Sequence, residues 1–204
     1  MSIMRVRKRQ VRRRRSAAEA RDEALVAARE ILLKLGPDGV TLKGVAAEIG
    51  MTHTNLLHHF GSASELQSAL MSAMVRDLGA ALSDAVTHLR SDEGAPRVLV
   101  DMVFDAFDKG GAGQLAAWIA LSNKQAHLEP IQQAVNEMVN AIEEKFATAA
   151  PATRQGVTSA VLFIALCAFG DAIIGGPLVD MLGRERAAGR KITAYLLPKF
   201  FGAM

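Results

Sequence analysis

The feature that most constrains this chain is the recurrence of apolar residues at spacings of three and four. From residue 17 to residue 35 the apolar positions that follow this spacing are Leu25, Ala28, Ile31, Leu32 and Leu35. Such a period places apolar side chains on one face of an α-helix. Glycines and prolines fall between runs of this kind, and the sequence has no sustained alternation of β-branched and polar residues. The sequence therefore predicts an all-α protein.

The first predicted helix begins at Ser16 or Ala17 and ends at Leu35. It is followed by the break at residues 36–39, which read Gly-Pro-Asp-Gly. Thr41 is then a suitable N-cap for a second, short helix, because its hydroxyl oxygen accepts a hydrogen bond from an unpaired backbone N–H.

A turn separates this second helix from a third. Gly50 suits the turn because a residue without Cβ adopts positive φ readily. Thr52 is expected to cap the third helix, from Thr52 to His59, and the stretch 62–65 has the pattern of a capping box that opens a long fourth helix ending near residue 90. Two short helices joined by a tight turn predict a helix-turn-helix, whose second helix enters the major groove of DNA.

Beyond residue 66 the chain is predicted to form a larger helical body. Breaks are expected at residues 91–96, 110–113, 130, 150–151 and 175–177, and the segments between them have helical patterns. The apolar run from Val157 to Gly170 stops at Asp171 and is shorter than the roughly 18 residues that a membrane-spanning helix needs. We therefore expect it to be a buried core helix and expect no membrane partner.

Charge is distributed unevenly along the chain. The whole sequence has a net charge of +3, but residues 1–15, which include Arg12, Arg13, Arg14 and Arg15, contain eight basic residues and no acidic one. The rest of the chain has 16 basic and 21 acidic residues, and the segment 16–66 alone has a net charge of −3. Because blocks of like charge are usually disordered when free and often bind nucleic acid, we interpret residues 1–15 as a basic arm.

The sequence lacks the motifs of several functional classes. The single cysteine, Cys167, excludes a disulfide framework and a cysteine-rich zinc site, and is typical of a protein of the reducing cytoplasm. His53, His58 and His59 lack the i, i+4 spacing that places two imidazoles on one helical face, so we expect no metal. There is no glycine-rich phosphate loop, no H-E-x-x-H and no G-x-S-x-G, so we expect neither an enzyme nor a cofactor.

Over residues 21–66 the sequence resembles the tetracycline-repressor (TetR) family of bacterial transcriptional regulators. The resemblance implies an N-terminal three-helix DNA-binding unit, a larger helical body for ligand binding and dimerisation, and a homodimer that reads palindromic double-stranded DNA. It divides the chain into the arm (1–15), an N-terminal unit (16–66) and a body (67–204). The matching residues are Ala28, Gly39, Val40, Thr41, Val45, Ala46, Ile49, Gly50, Met51, Leu56, His59, Phe60, Ser62, Glu65 and Leu66.

The resemblance also assigns roles to the residues around the predicted turn. Carried over by position, three residues would face base edges: His53, Thr54 and Asn55. Three others would lie against phosphates: Thr41, Thr52 and His59.

Two departures from the family pattern weaken the expected grip on the phosphate backbone. The family usually has a tyrosine where this chain has Leu57 and a lysine where it has Ala63. Because neutralisation of phosphates supplies most non-specific affinity, we expect the arm, with Arg12 to Arg15, to replace these contacts from an adjacent minor groove.

The body is expected to hold a pocket for a small hydrophobic or amphipathic effector whose binding releases the DNA, with repression as the usual outcome in the family. Since aromatic residues at helical spacing also form ordinary cores, each candidate has that second interpretation. Further candidates for the lining of the pocket are Met102, Leu166, Phe169, Asn123 and His127. The principal ones are Phe104, Phe107, Trp118, Leu121, Phe163, Cys167 and Asp171.

The last two helical segments, roughly 152–174 and 184–201, are the predicted dimer-forming bundle. Two alternatives stay open. One is a nonspecific nucleic-acid-binding or architectural protein dominated by the arm, and the other is a regulator whose body dimerises but binds no effector.

Overall fold

The computed structural model describes residues 16–88, 94–122, 129–147 and 154–201, and the regular structure within them is helical, which confirms the all-α prediction. The arm, Asn123 and His127 lie outside the described residues. The helices are α1 (Ala17–Leu35), α2 (Leu42–Glu48), α3 (His53–Phe60), α4 (Ala63–His88), α5 (Ala95–Phe107), α6 (Ala112–Leu121), α7 (Glu129–Ala147), α8 (Arg154–Gly170), α9 (Gly176–Met181) and α10 (Ala188–Leu196).

Side-chain caps fix where the first three helices begin. Ser16 Oγ accepts from the Glu19 N–H at 3.1 Å, and the Glu19 carboxylate accepts from the Ser16 N–H at 2.7 Å. This backbone donor lowers the pKa of Glu19 below its usual value. The predicted caps of α2 and α3 are confirmed, since Thr41 Oγ1 accepts from Gly44 N–H at 3.0 Å and Thr52 Oγ1 accepts from Asn55 N–H at 3.2 Å.

A first hydrophobic core joins the N-terminal unit to the body. It contains residues of α1, α2 and α3 together with Leu66, Leu70, Met71 and Met74 of α4 and Leu115 of α6. Because α4 contributes to this core along its first three turns, it continues directly from the N-terminal unit into the body.

A second core lies inside the body. It is built from α4, α5, α8 and the short 3-10 turn Leu197–Phe200, with Leu82, Val100, Phe104 and Ile164 among its buried members. Helix α7 packs closely along α4, where Gly79 is buried against Met138.

An ion-pair network holds α10 against α5. Arg190 Nη1 donates to Asp105 at 2.7 Å and to Asp101 at 3.5 Å, and its guanidinium lies 5.4 Å from the centre of the Phe104 ring. Partial burial acts to raise the pKa of Asp105, but hydrogen bonds from Lys109 and Arg190 lower it overall.

The predicted break at residues 175–177 is wrong, because one continuous helix runs from Arg154 to Met181. A π-helical segment, Asp171–Gly175, precedes Pro177. A proline lacks the N–H that a helix interior uses and its ring collides with the carbonyl four residues earlier. The wider π turn relieves that collision and lets the helix continue.

The prediction that this apolar run is a buried core helix is also wrong. Only 22% of its most apolar window is buried, and Leu162 and Leu166 are each 61% exposed. By length and composition alone, it is the one helix among the described residues that could cross a membrane. Its opposite face, with Val157, Ala160 and Ile164, packs into the protein.

We predict that Gly79→Leu destabilises the protein by about 1–3 kcal/mol, because a Cβ at Gly79 would already lie 3.0 Å from Met138 Cγ. Gly170→Leu is the matched control, since a Cβ there meets nothing within 4 Å. It should be neutral or stabilise the protein by up to about 1 kcal/mol. Urea denaturation measures both, and equal effects from the two substitutions would contradict the close packing of α4 on α7.

Candidate nucleic-acid interface and ligand cavity

Helix α3 separates a buried face from an exposed one. Leu56 and Phe60 are buried in the first core, whereas His53, Thr54 and Asn55 at the N-terminal end of the helix are exposed. The three residues predicted to meet base edges are therefore together on one accessible surface. The turn before them is held by Gly50 at φ +64° and by a Met51 N–H to Ala46 C=O hydrogen bond of 2.8 Å.

The residues predicted to meet phosphates flank this surface. Thr41 and Thr52 are exposed at the N-termini of α2 and α3, and His59 is half-buried at the C-terminal end of α3. The two threonine oxygens accept backbone N–H groups, so their hydroxyl hydrogens are the groups that can point outward to an anion. Backbone N–H groups at a helix N-terminus add a weak attraction for phosphate.

Arg21 is a residue of this site that sequence reasoning missed. Its Nη1 donates to the carbonyl of His59 at 2.5 Å, and its guanidinium lies 4.3 Å from the centre of the Phe60 ring. The arginine therefore caps the C-terminal end of α3 from α1 and fixes the angle of α3 on the core. No local pattern reveals this contact, because the two residues are 38 positions apart.

The exposed surface of α3 has little positive charge. The helix contains no lysine or arginine, and Leu57, at the position of the family's usual tyrosine, is 38% exposed. Ala63 is half-buried at the start of α4. The surface of α3 therefore lacks cations, as the sequence indicates. Arg12 to Arg15, which are expected to compensate for this, lie outside the described residues.

The residues proposed for the ligand site are not gathered in one place. Phe104 is buried in the second core, Cys167 is partly buried against that core, and Phe163 packs against Phe200 with ring centres 5.1 Å apart. Trp118 and Leu121 are exposed on α6.

The Asp171 side chain lies close to the backbone of two glycines. A Cβ on Gly175 would be 2.5 Å from Asp171 Oδ1, and one on Gly189 would be 3.4 Å from it. The carboxylate therefore occupies space that these two glycines leave open. The guanidinium of Arg186 is close by, since its Nη1 would be 3.3 Å from the same Cβ on Gly175.

A cavity of about 460 Å³ lies between α1, α4, α5 and the start of α6. Phe107 is the one member of the principal predicted set that lines it. Its walls are mostly apolar and its rim carries Arg29, Asp77 and Asp105. The apolar lining residues are Met71, Met74, Val75, Leu78, Ala81, Met102, Ala106, Phe107 and Ala112.

Sequence reasoning missed the methionines of α4 in this cavity, because they follow the same helical period as ordinary core residues. A smaller apolar cavity of about 70 Å³ lies in the second core, and a groove of about 260 Å³ follows the contact of α4 with α7. In the part of the chain that the structure describes, no group of three or more potential ligands could hold a metal ion.

Comparison with known proteins supports the architecture. Residues 24–70 match the family model of bacterial regulatory proteins of the tetR family. None of the curated protein sequences matches the chain.

Several solved structures share the fold at low sequence identity. A protein of Streptomyces coelicolor A3(2) described as a transcriptional regulator, SCO7518, is 15% identical, with a TM-score of 0.63 over 90% of this chain and 99% of that one. The multidrug binding protein EbrR complexed with ethidium is 16% identical, with a TM-score of 0.58 over 89% and 98%. A TetR-family member from Streptomyces coelicolor A3, SCO1917, is 17% identical, with a TM-score of 0.55 over 91% and 99%.

These findings confirm the resemblance. The chain has a TetR-type helix-turn-helix unit at its N-terminus, and its overall fold is that of solved TetR-family proteins.

We predict that Arg21→Ala lowers the stability of the protein by about 1 kcal/mol, because it removes both the cap on α3 and the cation–π contact with Phe60. It should also speed hydrogen exchange of the Gly61 amide, which donates to Leu57 C=O at 2.7 Å. Lys34→Ala, which removes only an exposed ion pair with Glu30 on the same helix, is the control. Unchanged exchange in Arg21→Ala would show that the arginine does not hold α3.

Proposed function

We propose that this chain is a cytoplasmic transcriptional repressor that binds a palindromic operator as a homodimer and is released by a small hydrophobic or amphipathic ligand. In this proposal the arm (1–15) attracts DNA, the N-terminal unit (16–66) reads it, and the body (67–204) dimerises and binds the ligand. The observation that carries the proposal is the exposed N-terminal end of α3, which presents His53, Thr54 and Asn55 from a capped and fully packed helix-turn-helix.

The chemistry of these three side chains suits base edges. An asparagine amide pairs with the N6 and N7 edge of adenine, and the methyl group of a threonine fits against the methyl group of thymine. The histidine ring both donates and accepts hydrogen bonds. Thr41, Thr52 and His59 would then position the unit on the phosphates.

The arm is proposed to supply the attraction that the N-terminal unit lacks. The unit has a net charge of −3, whereas residues 1–15 contain eight cations immediately before the N-cap Ser16. Each phosphate that a cation neutralises releases counterions from the DNA. The resulting contribution to affinity grows with the number of such contacts.

The homodimer is proposed to form through the exposed apolar face of the helix from Arg154 to Met181, together with α10. A continuous apolar face of this kind on a protein surface marks an interaction site. A second copy would supply the same face across a two-fold axis, and that symmetry matches a palindrome with half-sites about 34–36 Å apart. The exposed apolar side chains are Leu162, Leu166, Ile173, Ile174, Leu178, Met181, Ile192 and Tyr195.

The 460 Å³ cavity is the proposed effector site. Its size and its apolar walls with a few polar groups at the rim are typical of pockets for small molecules. The structure of EbrR with ethidium supports the idea that this fold accommodates such ligands.

A second candidate function is a nonspecific DNA-binding or architectural protein. The negative charge of the N-terminal unit and the presence of Leu57 and Ala63 at phosphate-facing positions favour it. It differs from the repressor in one measurable property, because binding by the arm alone would carry no preference for sequence.

For the arm, we predict that replacing Arg12, Arg13, Arg14 and Arg15 by glutamine weakens DNA binding and flattens its dependence on salt. Four phosphate contacts contribute up to about 3.6 to the slope of log K against log salt concentration. Fluorescence anisotropy with a labelled duplex over a range of salt measures the slope. Lys34→Gln, an exposed cation of α1, serves as the control, and an unchanged slope in the arm variant would refute the role of the arm.

For the dimer, we predict that Leu162→Glu converts the protein to a monomer in sedimentation equilibrium, because a buried unpaired carboxylate disrupts an apolar interface. Val26→Glu is a matched control, since Val26 on α1 is 63% exposed and lies outside the proposed interface, and this variant should stay dimeric. A wild-type protein that is monomeric and partitions into lipid vesicles would instead assign the apolar face to a bilayer.

A further inference from the structure

We propose that the effector of the 460 Å³ cavity is an amphipathic anion, an apolar molecule with one acidic group, and that its acidic group takes Arg29 away from Asp77. This inference rests on the proposed function, in which the cavity is the effector site. It adds the chemical class of the ligand and the contact through which the ligand reaches the DNA-binding unit.

The cavity lies at the seam between the two hydrophobic cores. Met71 and Met74 belong to the first core, whereas Leu78 and Met102 pack on the second. Phe107 packs against both cores and lines the cavity as well. A molecule in this space therefore contacts the core that supports α3 and the core of the body at the same time.

The walls of the cavity select an apolar ligand body. Three methionines line it, and a thioether side chain is flexible and polarisable enough to adapt to apolar groups of different shape. The polar groups are confined to the rim and consist of Arg29, Asp77 and Asp105. A ligand that fills the cavity would thus bury its apolar part and place one polar group at the rim.

The charges at the rim favour an acidic group on the ligand. Asp105 accepts hydrogen bonds from Lys109 at 2.9 Å and from Arg190 at 2.7 Å, so its negative charge is already compensated by two cations. Asp77 is 67% exposed and returns to water at little cost when it loses its partner. Arg29 is thus the rim group with the most to gain from a new partner of opposite charge.

The geometry of Arg29 leaves room for such a partner. Its Nη1 donates to Asp77 Oδ2 at 3.2 Å, which is longer than the 2.7–2.9 Å typical of a charge-assisted hydrogen bond. A guanidinium has five N–H donors in a planar fork that fits a carboxylate through two parallel hydrogen bonds. A ligand carboxylate that formed both bonds would displace the single weaker contact with Asp77.

This displacement would act on the DNA-binding unit through α1. The Arg29–Asp77 ion pair joins α1 to α4 beside the seam, and the same α1 holds the end of α3 through Arg21. Exchange of Asp77 for a ligand group would remove this polar link, so that α1 and α4 would be held together only by the first core, against which the apolar part of the ligand would pack. An effector shifts an equilibrium through such differential contacts in its two states.

The test compares three probes with the same ten-carbon chain and different head groups: decanoate, decanol and decyltrimethylammonium. Each is titrated calorimetrically into the full-length protein below its critical micelle concentration. Wild-type protein should bind decanoate most tightly. Arg29→Gln should weaken decanoate binding about tenfold or more, because it removes a charge-assisted hydrogen-bond partner, and Asp77→Asn should strengthen it.

Two controls keep these results interpretable. Glu30→Gln breaks the neighbouring Lys34–Glu30 ion pair on α1 and should leave decanoate binding unchanged. Ala106→Phe fills the cavity and should abolish binding of all three probes. If Arg29→Gln does not fold, as judged by circular dichroism, Arg29→Lys keeps the charge without the fork and should weaken decanoate binding to a smaller extent.

Tighter binding of decyltrimethylammonium than of decanoate, or no gain of affinity in Asp77→Asn, would overturn the assigned charge. Failure of every probe to bind, or binding that persists in Ala106→Phe, would overturn the site. A separate titration with a duplex selected from a random pool tests the proposed function itself. Decanoate should release wild-type protein from that duplex. If the protein selects no duplex from the pool, the proposed regulatory function is refuted, whereas the results with the three probes still stand.

Discussion

The candidate nucleic-acid interface depends on the burial of one face of α3. Leu56 and Phe60 are held in the first core against α1 and α4, so the other face of the helix presents exposed polar side chains. Thr52 fixes the N-terminal end of the helix and Arg21 fixes the C-terminal end. A helix of eight residues is too short to be stable alone, so these contacts determine both its existence and its orientation.

Helix α4 carries this arrangement into the body. Its first turns belong to the core of the N-terminal unit, its later turns belong to the core of the body, and Gly79 lets α7 approach closely. The cavity of about 460 Å³ opens where the two cores meet. A ligand there would therefore act on α1 and α4 together, which connects the proposed effector site to the proposed DNA surface through few contacts.

Local chemistry explains what the sequence could predict. Thr41, Thr52 and Gly50 act within their own turns, so the helix-turn-helix and its exposed residues follow from a short stretch of chain. No spacing rule reveals features that join distant positions of the chain. These features are the cavity, the contact of Arg21 with His59, and the ion pair of Arg29 with Asp77. The error at residues 175–177 has a different origin, because a local π turn at Asp171–Gly175 accommodates Pro177 within the helix.

The most direct test of the account is the affinity of the wild-type protein for a palindromic duplex selected from a random pool, compared with a shuffled duplex of the same composition. Both are measured at one physiological salt concentration. A regulator that reads bases through His53, Thr54 and Asn55 should prefer the selected duplex by about a thousandfold or more. Equal affinity for the two duplexes would mean that the basic arm binds DNA without reading it, and would contradict the central claim.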